Sequence, residues 1–156
     1  METRLALVRL DDVAAPVDDA AMRQVLLNLL DNAVKYGPRG QTVSLGLALA
    51  EKRADGRSVG QARLWVEDEG PGIPPGDRAR VWRPFVRLAR DIERQAAGSG
   101  IGLSVVREIV TRHGGTATIE STPAGGTRVV IEMMGARSSD RPPVRPSAGS
   151  EVTCGS

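Results

Sequence analysis

The sequence is poor in the residues on which much protein chemistry rests. Its 156 residues include one cysteine, Cys154, and one histidine, His113. A lone cysteine forms no internal disulfide and no cysteine-based zinc site. A lone histidine removes most histidine-dependent catalysis unless His113 itself carries it. The aromatic residues are Tyr36, Trp65, Trp82 and Phe85, too few to stack along a nucleic-acid strand. Neither charge sign dominates: 21 Lys and Arg face 19 Asp and Glu, a formal net charge of +2. The pI of 9.2 reflects a small arginine surplus rather than a basic footprint, so nucleic acid is not expected as a partner. No apolar run approaches the roughly 20 residues of a membrane-spanning helix. Arg4 and Arg9 also interrupt what would be the apolar region of a leader. A cytosolic (cytoplasmic) protein without a membrane span is expected.

What is present is ordinary globular material, 40% hydrophobic and 26% charged. The length suits one domain that buries about 70% of its unfolded surface. Residues 5–10 read as a short strand within an N-terminal extension over 1–16. Asp18 and Asp19 offer an N-cap to a helix whose buried face is Met22, Val25, Leu26, Leu29, Leu30 and Ala33. Gly37-Pro38 should end it. Alternation predicts strands over 42–50 and 61–68, an antiparallel pair joined through Asp55-Gly56. Glu69 to Pro75 is too rich in glycine and proline for regular structure. Asp77 to Trp82 reads as a short helix closed by Pro84. Residues 87–98 lack clean periodicity and read as a mobile loop. A helical stripe follows from Gly100 through Val110, ending at His113-Gly114-Gly115, and then strands over 116–121 and 127–134. From 136 to 156 the composition turns to Pro, Ser, Arg and Gly and reads as a disordered tail. The order is that of an α+β, two-layer sandwich: helices on one face of a mixed, mostly antiparallel sheet.

Four segments at element boundaries carry candidate chemistry. In Asn28-Leu29-Leu30-Asp31-Asn32-Ala33-Val34-Lys35-Tyr36, the residues Asn28, Asn32 and Lys35 fall on one helix face beside the apolar one. Asparagine carbonyls are neutral oxygen ligands suited to Mg²⁺, and lysine is a point charge for phosphate. A solvated polar face would show the same spacing. In Val66-Glu67-Asp68-Glu69-Gly70-Pro71-Gly72-Ile73, period two puts Asp68 on the apolar side of its strand. A carboxylate there needs donors, which an exocyclic amine such as adenine N6 or the residue's own turn would supply. Gly98-Ser99-Gly100-Ile101-Gly102-Leu103 opens into a helix, where amides and dipole favour an anion such as a triphosphate. A flexible hinge has the same composition. Gly125-Gly126-Thr127 alone reads as a hairpin turn.

Taken in this order, the segments NLLDNAVKYG, VEDEGPGIP, RVWRPFVRL, GSGIGLSVVREIVTRHGG and GGTRVVIE resemble the ATP-binding catalytic domain of bacterial sensor histidine kinases. That domain shares its Bergerat-type fold with gyrase, Hsp90 and MutL. The resemblance covers residues 17–134, within a domain drawn over 17–135. It implies bound Mg–ATP, with Asn32 as the metal ligand and Asn28 beside it. Lys35 and Tyr36 would contact phosphate and nucleotide, and Asp68 would take adenine N6. Gly70 and Gly72 would shape the adenine pocket. Gly100, Gly102 and Leu103 would hold phosphates, and Ile73, Gly98, Ile101 and Thr127 would also belong to the nucleotide site. Trp82-Arg83-Pro84-Phe85 stands where that family has its F box, residues 87–98 would be the lid, and Arg87 is a candidate for orienting the γ-phosphate.

Two departures shape the expected function. His113 precedes Gly114-Gly115 at a helix end, where an imidazole suits the dipole. Family phosphoacceptors sit instead on a dimeric helical domain with an acidic neighbour. The expected acceptor is therefore a histidine on a separate protein, with a response regulator further on and this chain monomeric by itself. Residue 28 is Asn, where ATPases of this fold and anti-sigma serine kinases carry a glutamate base; an amide cannot take the proton. An anti-sigma-like module that binds its partner under ATP control is the alternative.

Overall fold

The computed structural model describes residues 2–93, 100–139 and 152–154. The strands are β1 (Thr3–Leu10), β2 (Val13–Ala14), β3 (Thr42–Ala54), β4 (Arg57–Glu67), β5 (Thr116–Ser121), β6 (Thr127–Met134), β7 (Arg137–Ser138) and β8 (Val152–Cys154). The helices are α1 (Asp19–Tyr36), α2 (Ala89–Glu93) and α3 (Gly102–Arg112). Six strands form one sheet in the order β5-β6-β4-β3-β1-β8, and β2 pairs with β7 apart from it. Only β1 and β3 run parallel among these pairs. A parallel pair needs a crossover, and α1 supplies it.

The alternation read in the strands is the alternation of the sheet. Leu45 lies opposite Val66, Leu49 opposite Ala62, and Leu64 opposite Ile131. These face α1 through Val25, Leu29 and Ala33, and α3 through Val106 and Val110, in a single buried cluster. Spacings of four residues on both helices make those stripes. Asp18 caps α1, its carboxylate accepting from the Ala21 N–H at 2.8 Å. His113, at the C-terminal end of α3, lies beside this cap. Its Nδ1 bonds the Ile109 carbonyl at 2.8 Å, and its Nε2 accepts from the Asp18 N–H at 3.3 Å.

Several boundaries differ from expectation, each for a physical reason. β3 and β4 extend to a two-residue turn, Asp55-Gly56, both with positive φ (50° and 75°), the twist that matches a tight hairpin. Gly37 is extended rather than left-handed; it is glycine because a Cβ would overlap the Gln41 amide. The helix expected over 77–82 shrinks to one 3-10 turn, Pro75–Asp77. Within the loop expected over 87–98, residues 89–93 form α2, seeded by main-chain bonds to the Leu88 carbonyl. Residues 94–99, with Gly98 and Ser99, lie outside the described residues. The tail expected over 136–156 contains β7, pairing with Val13–Ala14, and β8, pairing with Thr3–Leu5. Edge pairing uses main-chain groups and needs no apolar pattern. Residues 140–151 lie outside the described residues. No described helix is long and apolar enough to cross a membrane.

β1 is tied to β3 beyond its ladder by Asp11. Its carboxylate accepts from Arg9 Nη2 at 2.8 Å and from the Leu49 N–H at 2.9 Å. The Arg9 hydrogen bond first, then the Leu49 amide, hold this carboxyl below its ordinary value of 3.8. A depressed value stabilises the fold above pH 3.8, and that contribution is lost as pH falls further through the folded value. Thermal melting followed downward from pH 5 should therefore show a shallower acid loss in Asp11→Asn than in the parent.

Candidate functional site

A cavity of about 290 Å³ opens between α1, the loop after β4, residues 86–91 and the start of α3. The α1 stripe that faces the core also forms the cavity's apolar floor: Leu29 and Ala33 reach it, together with Val66 and Val129 of the sheet. One helical step round, Asn28, Asn32, Lys35 and Tyr36 line the wall. The spacing therefore marks a cavity wall rather than a wholly solvated face. Asp31 lines it too, and its carboxylate holds Lys35 Nζ at 2.6 Å.

Asp68, one residue past the end of β4, belongs to the loop part of the lining. Its N–H donates to the Thr127 carbonyl at 2.9 Å, extending the β4–β6 ladder by one bond. Its Oδ1 accepts from the Thr127 N–H at 3.1 Å and from the Gly70 N–H at 2.8 Å. The carboxylate thus caps its own turn and also lines the cavity. Gly70 does not line it; it lies behind Asp68, where a Cβ would come within 2.9 Å of Oδ1. Its part is to hold the carboxylate. Gly72 and Ile73 line the cavity as expected of that loop. Gly126 admits the Asp68 carbonyl so closely that a Cβ there would overlap it. Thr127, next to it, lines the cavity, so the apparent hairpin turn is part of the site.

The remaining wall is Gly100-Ile101-Gly102-Leu103. Gly100 has φ +75° and accepts at its carbonyl from the Phe85 N–H at 3.0 Å, which joins this loop to the Trp82–Phe85 segment. Trp82 is core; Phe85, also at positive φ, is 76% exposed. Gly102 places the α3 backbone against α1, since a Cβ would lie 3.2 Å from Asn32 Oδ1. Among the described residues no side chain caps the α3 N-terminus and its first turn carries no acid, so its partial positive charge faces the cavity that its first residues line. Arg87 lines the site with Nη2 donating to the Asp91 carbonyl at 3.3 Å.

The structure thus brings together every expected site residue it describes except Gly70; Gly98 lies outside the described residues. It adds Gln24, Asp31, Val86, Leu88 and Asp91, which sequence reasoning missed. Asp31 carried a signal, the i, i+4 spacing to Lys35. Gln24 did too, one turn before Asn28 on the same helix face, whereas Val86, Leu88 and Asp91 became visible only when residues 86–91 folded beside the cavity. Neutral oxygens for a metal come from Asn28 and Asn32, and anion donors from Lys35, Arg87 and the α3 amides. Among the described residues no three His, Cys, Asp or Glu cluster as a metal site.

Residues 17–136 match the family described as histidine kinase-, DNA gyrase B- and HSP90-like ATPase. The chain belongs to this family. Its relatives include the histidine-protein kinase/phosphatase MprB of Mycolicibacterium vanbaalenii, 44% identical over 110 residues, which are 70% of this chain and 21% of that protein. The sensory kinase SasA of Trichormus variabilis is 41% identical over 70% of this chain and 25% of that protein. The chain thus spans about a fifth to a quarter of the length of these relatives. Among solved structures, a mycobacterial sensor histidine kinase MprB superposes with TM-score 0.68 at 30% identity, over 85% of this chain and 82% of that one. Full-length ShkA in complex with AMPPNP superposes with TM-score 0.66 at 27% identity, over 88% of this chain and 27% of that one. The fold is that of a histidine-kinase ATP-binding domain.

In this family member the Asp68 wall depends on the close approach at Gly126. Gly126→Ala should cost about 1–3 kcal/mol of stability through forced backbone displacement, seen as a lowered denaturant midpoint. Gly125→Ala, where a Cβ would meet nothing within 4 Å, should show only the strain of its φ of +88°.

Proposed function

We propose that this domain binds Mg–ATP and transfers the γ-phosphoryl group to a histidine on a separate partner protein of a cytoplasmic two-component system. The observation that carries this reading is Asp68. Its carboxylate is held by two backbone amides at the edge of an apolar floor, facing a wall of neutral oxygens and cations. That is an acceptor for an exocyclic amine across from groups for a metal and phosphates. Adenine N6 donates to Asp68; Gly72 and Ile73 contact the ring, Gly70 fixes the carboxylate, and Thr127 closes that side. Tyr36 lies along the nucleotide. Asn32, with Asn28 beside it, would hold Mg²⁺, which would neutralise phosphate charge. Lys35 exchanges Asp31 for phosphate oxygens, and Gly98 to Leu103 present amides to them.

Phosphoryl transfer asks chiefly for positioning and charge stabilisation. The bond between the γ-phosphorus and its bridging oxygen breaks, leaving ADP, and a bond from that phosphorus to an imidazole nitrogen forms. Arg87 orients the γ-phosphate. The imidazole proton must leave, and Asn28 cannot receive it; the acidic neighbour of the acceptor histidine, contributed by the partner, does. His113 is not the acceptor in this reading, because both its ring nitrogens are engaged between α1 and α3. A response regulator takes the phosphoryl group from the partner.

Calorimetry with Mg–ATP tests the Asp68 assignment. Asp68→Asn should weaken binding about 10- to 100-fold, the worth of a hydrogen bond to a charged group. GTP should bind worse than ATP, since its O6 would face the carboxylate with no proton between them. Unchanged affinity in the variant would remove Asp68 from the adenine site. Incubated alone with γ-labelled ATP, the chain should gain no acid-labile phosphate. With a histidine-bearing partner, His113→Gln should still support labelling. Label retained on the isolated chain and abolished by His113→Gln would make His113 the acceptor.

A further inference from the structure

Gln41 lies in the turn between α1 and β3 and is 1% exposed. A buried amide is costly unless both its ends are satisfied, and here both are. Nε2 donates to the Ala33 carbonyl at 2.7 Å, and Oε1 accepts from the Glu69 N–H at 3.2 Å. Glu69 returns the link, its Oε2 accepting from the Thr42 N–H at 3.0 Å. Ala33 follows Asn32 and is two residues before Lys35; Glu69 follows Asp68. The amide therefore spans from the last turn of α1 to the loop that carries Asp68. Its two contacts are to backbone atoms of the helix and of the loop whose neighbouring residues Asn32 and Asp68 line the cavity, and glycine at position 37 leaves the space it fills.

We propose that Gln41 is a positioning residue that sets the separation of these walls, so that base and phosphates of one nucleotide are engaged together. The inference rests on the Mg–ATP reading above and adds a residue that contacts no ligand. An apolar side chain of similar size would fill the volume without fixing the distance. A ligand that touches one wall is then bound as before, whereas one that must touch both is bound less well.

The test uses the whole chain and three ligands: Mg–ATP by calorimetry, and adenosine and Mg–tripolyphosphate by NMR titration. Gln41→Leu should keep both half-ligand affinities within about twofold of the parent. Its Mg–ATP affinity should fall about tenfold or more, the equivalent of one buried hydrogen bond. Gln41→Glu keeps the shape. As a carboxylate it cannot donate to Ala33, but as a carboxylic acid it both donates there and accepts from Glu69. Burial raises such a carboxyl into an accessible range, so its Mg–ATP affinity should recover toward the parent as pH is lowered from 8 to 5.5. Equal losses for all three ligands in Gln41→Leu, or a pH profile in Gln41→Glu parallel to the parent's, would overturn the proposal. If Gln41→Leu gives no cooperative melt, the Gln41→Glu profile decides. A parent chain that binds no Mg–ATP would instead sink the nucleotide reading itself.

Discussion

The site depends on how β4 ends. Up to Glu67, opposite Arg128, the strand is an ordinary antiparallel partner of β6. At Asp68 the main chain makes one further bond, to the Thr127 carbonyl, and the side chain takes the Thr127 N–H that Asp68's own carbonyl would accept in a continuing ladder. The ladder is closed by a carboxylate instead of a carbonyl. This lets the chain turn away at Gly70 while every donor at the junction keeps an acceptor, which a partly buried main chain requires. It also fixes a negatively charged acceptor beside the apolar floor, where an unsupported one would be costly. The close approach at Gly126 and the support from Gly70 follow from that arrangement.

The two walls are built from different material. One is a regular helix, positioned by the Val25, Leu29 and Ala33 stripe against α3 and the sheet. The other is loop, positioned by individual hydrogen bonds: Gly70 and Thr127 to Asp68, Gln41 to Glu69, and Arg78 Nε to the Ile73 carbonyl at 3.2 Å. A helix wall gives fixed spacing between Asn28, Asn32 and Lys35; a loop wall gives close backbone approach. A flat base beside a polyphosphate asks for both. Among these residues no group combines a nucleophile with a general base, in keeping with chemistry that works through placement and charge.

Much of this was legible in the sequence because it follows from short-range rules. The helical stripe of α1, the alternation in β3 and β4, and Asp68 on the apolar side of its strand are consequences of periods of 3.6 and 2. What escaped depends on long-range partners. Gly125-Gly126-Thr127 looks like any hairpin turn until Asp68, 59 residues away from Thr127, is placed against it. Gln41 is a polar residue in a turn, and nothing local says that it is buried between Ala33 and Glu69. Strands β7 and β8 form by edge pairing with Val13–Ala14 and Thr3–Leu5, which composition does not encode. α2 arises where Leu88 packs into the core and its carbonyl seeds a turn. Gly70 does not line the cavity and holds Asp68 from behind, a contact that a glycine in a loop does not announce locally.

The central claim is that segments far apart in sequence form one nucleotide site. Amide chemical shifts during titration with a magnesium–ATP analogue test it most directly. The account predicts that Gly70 and Thr127 on one wall, and Asn32, Gly102 and Leu103 on the other, move together with one saturation curve. Shifts confined to one wall, or two curves with different midpoints, would contradict a single site built from both.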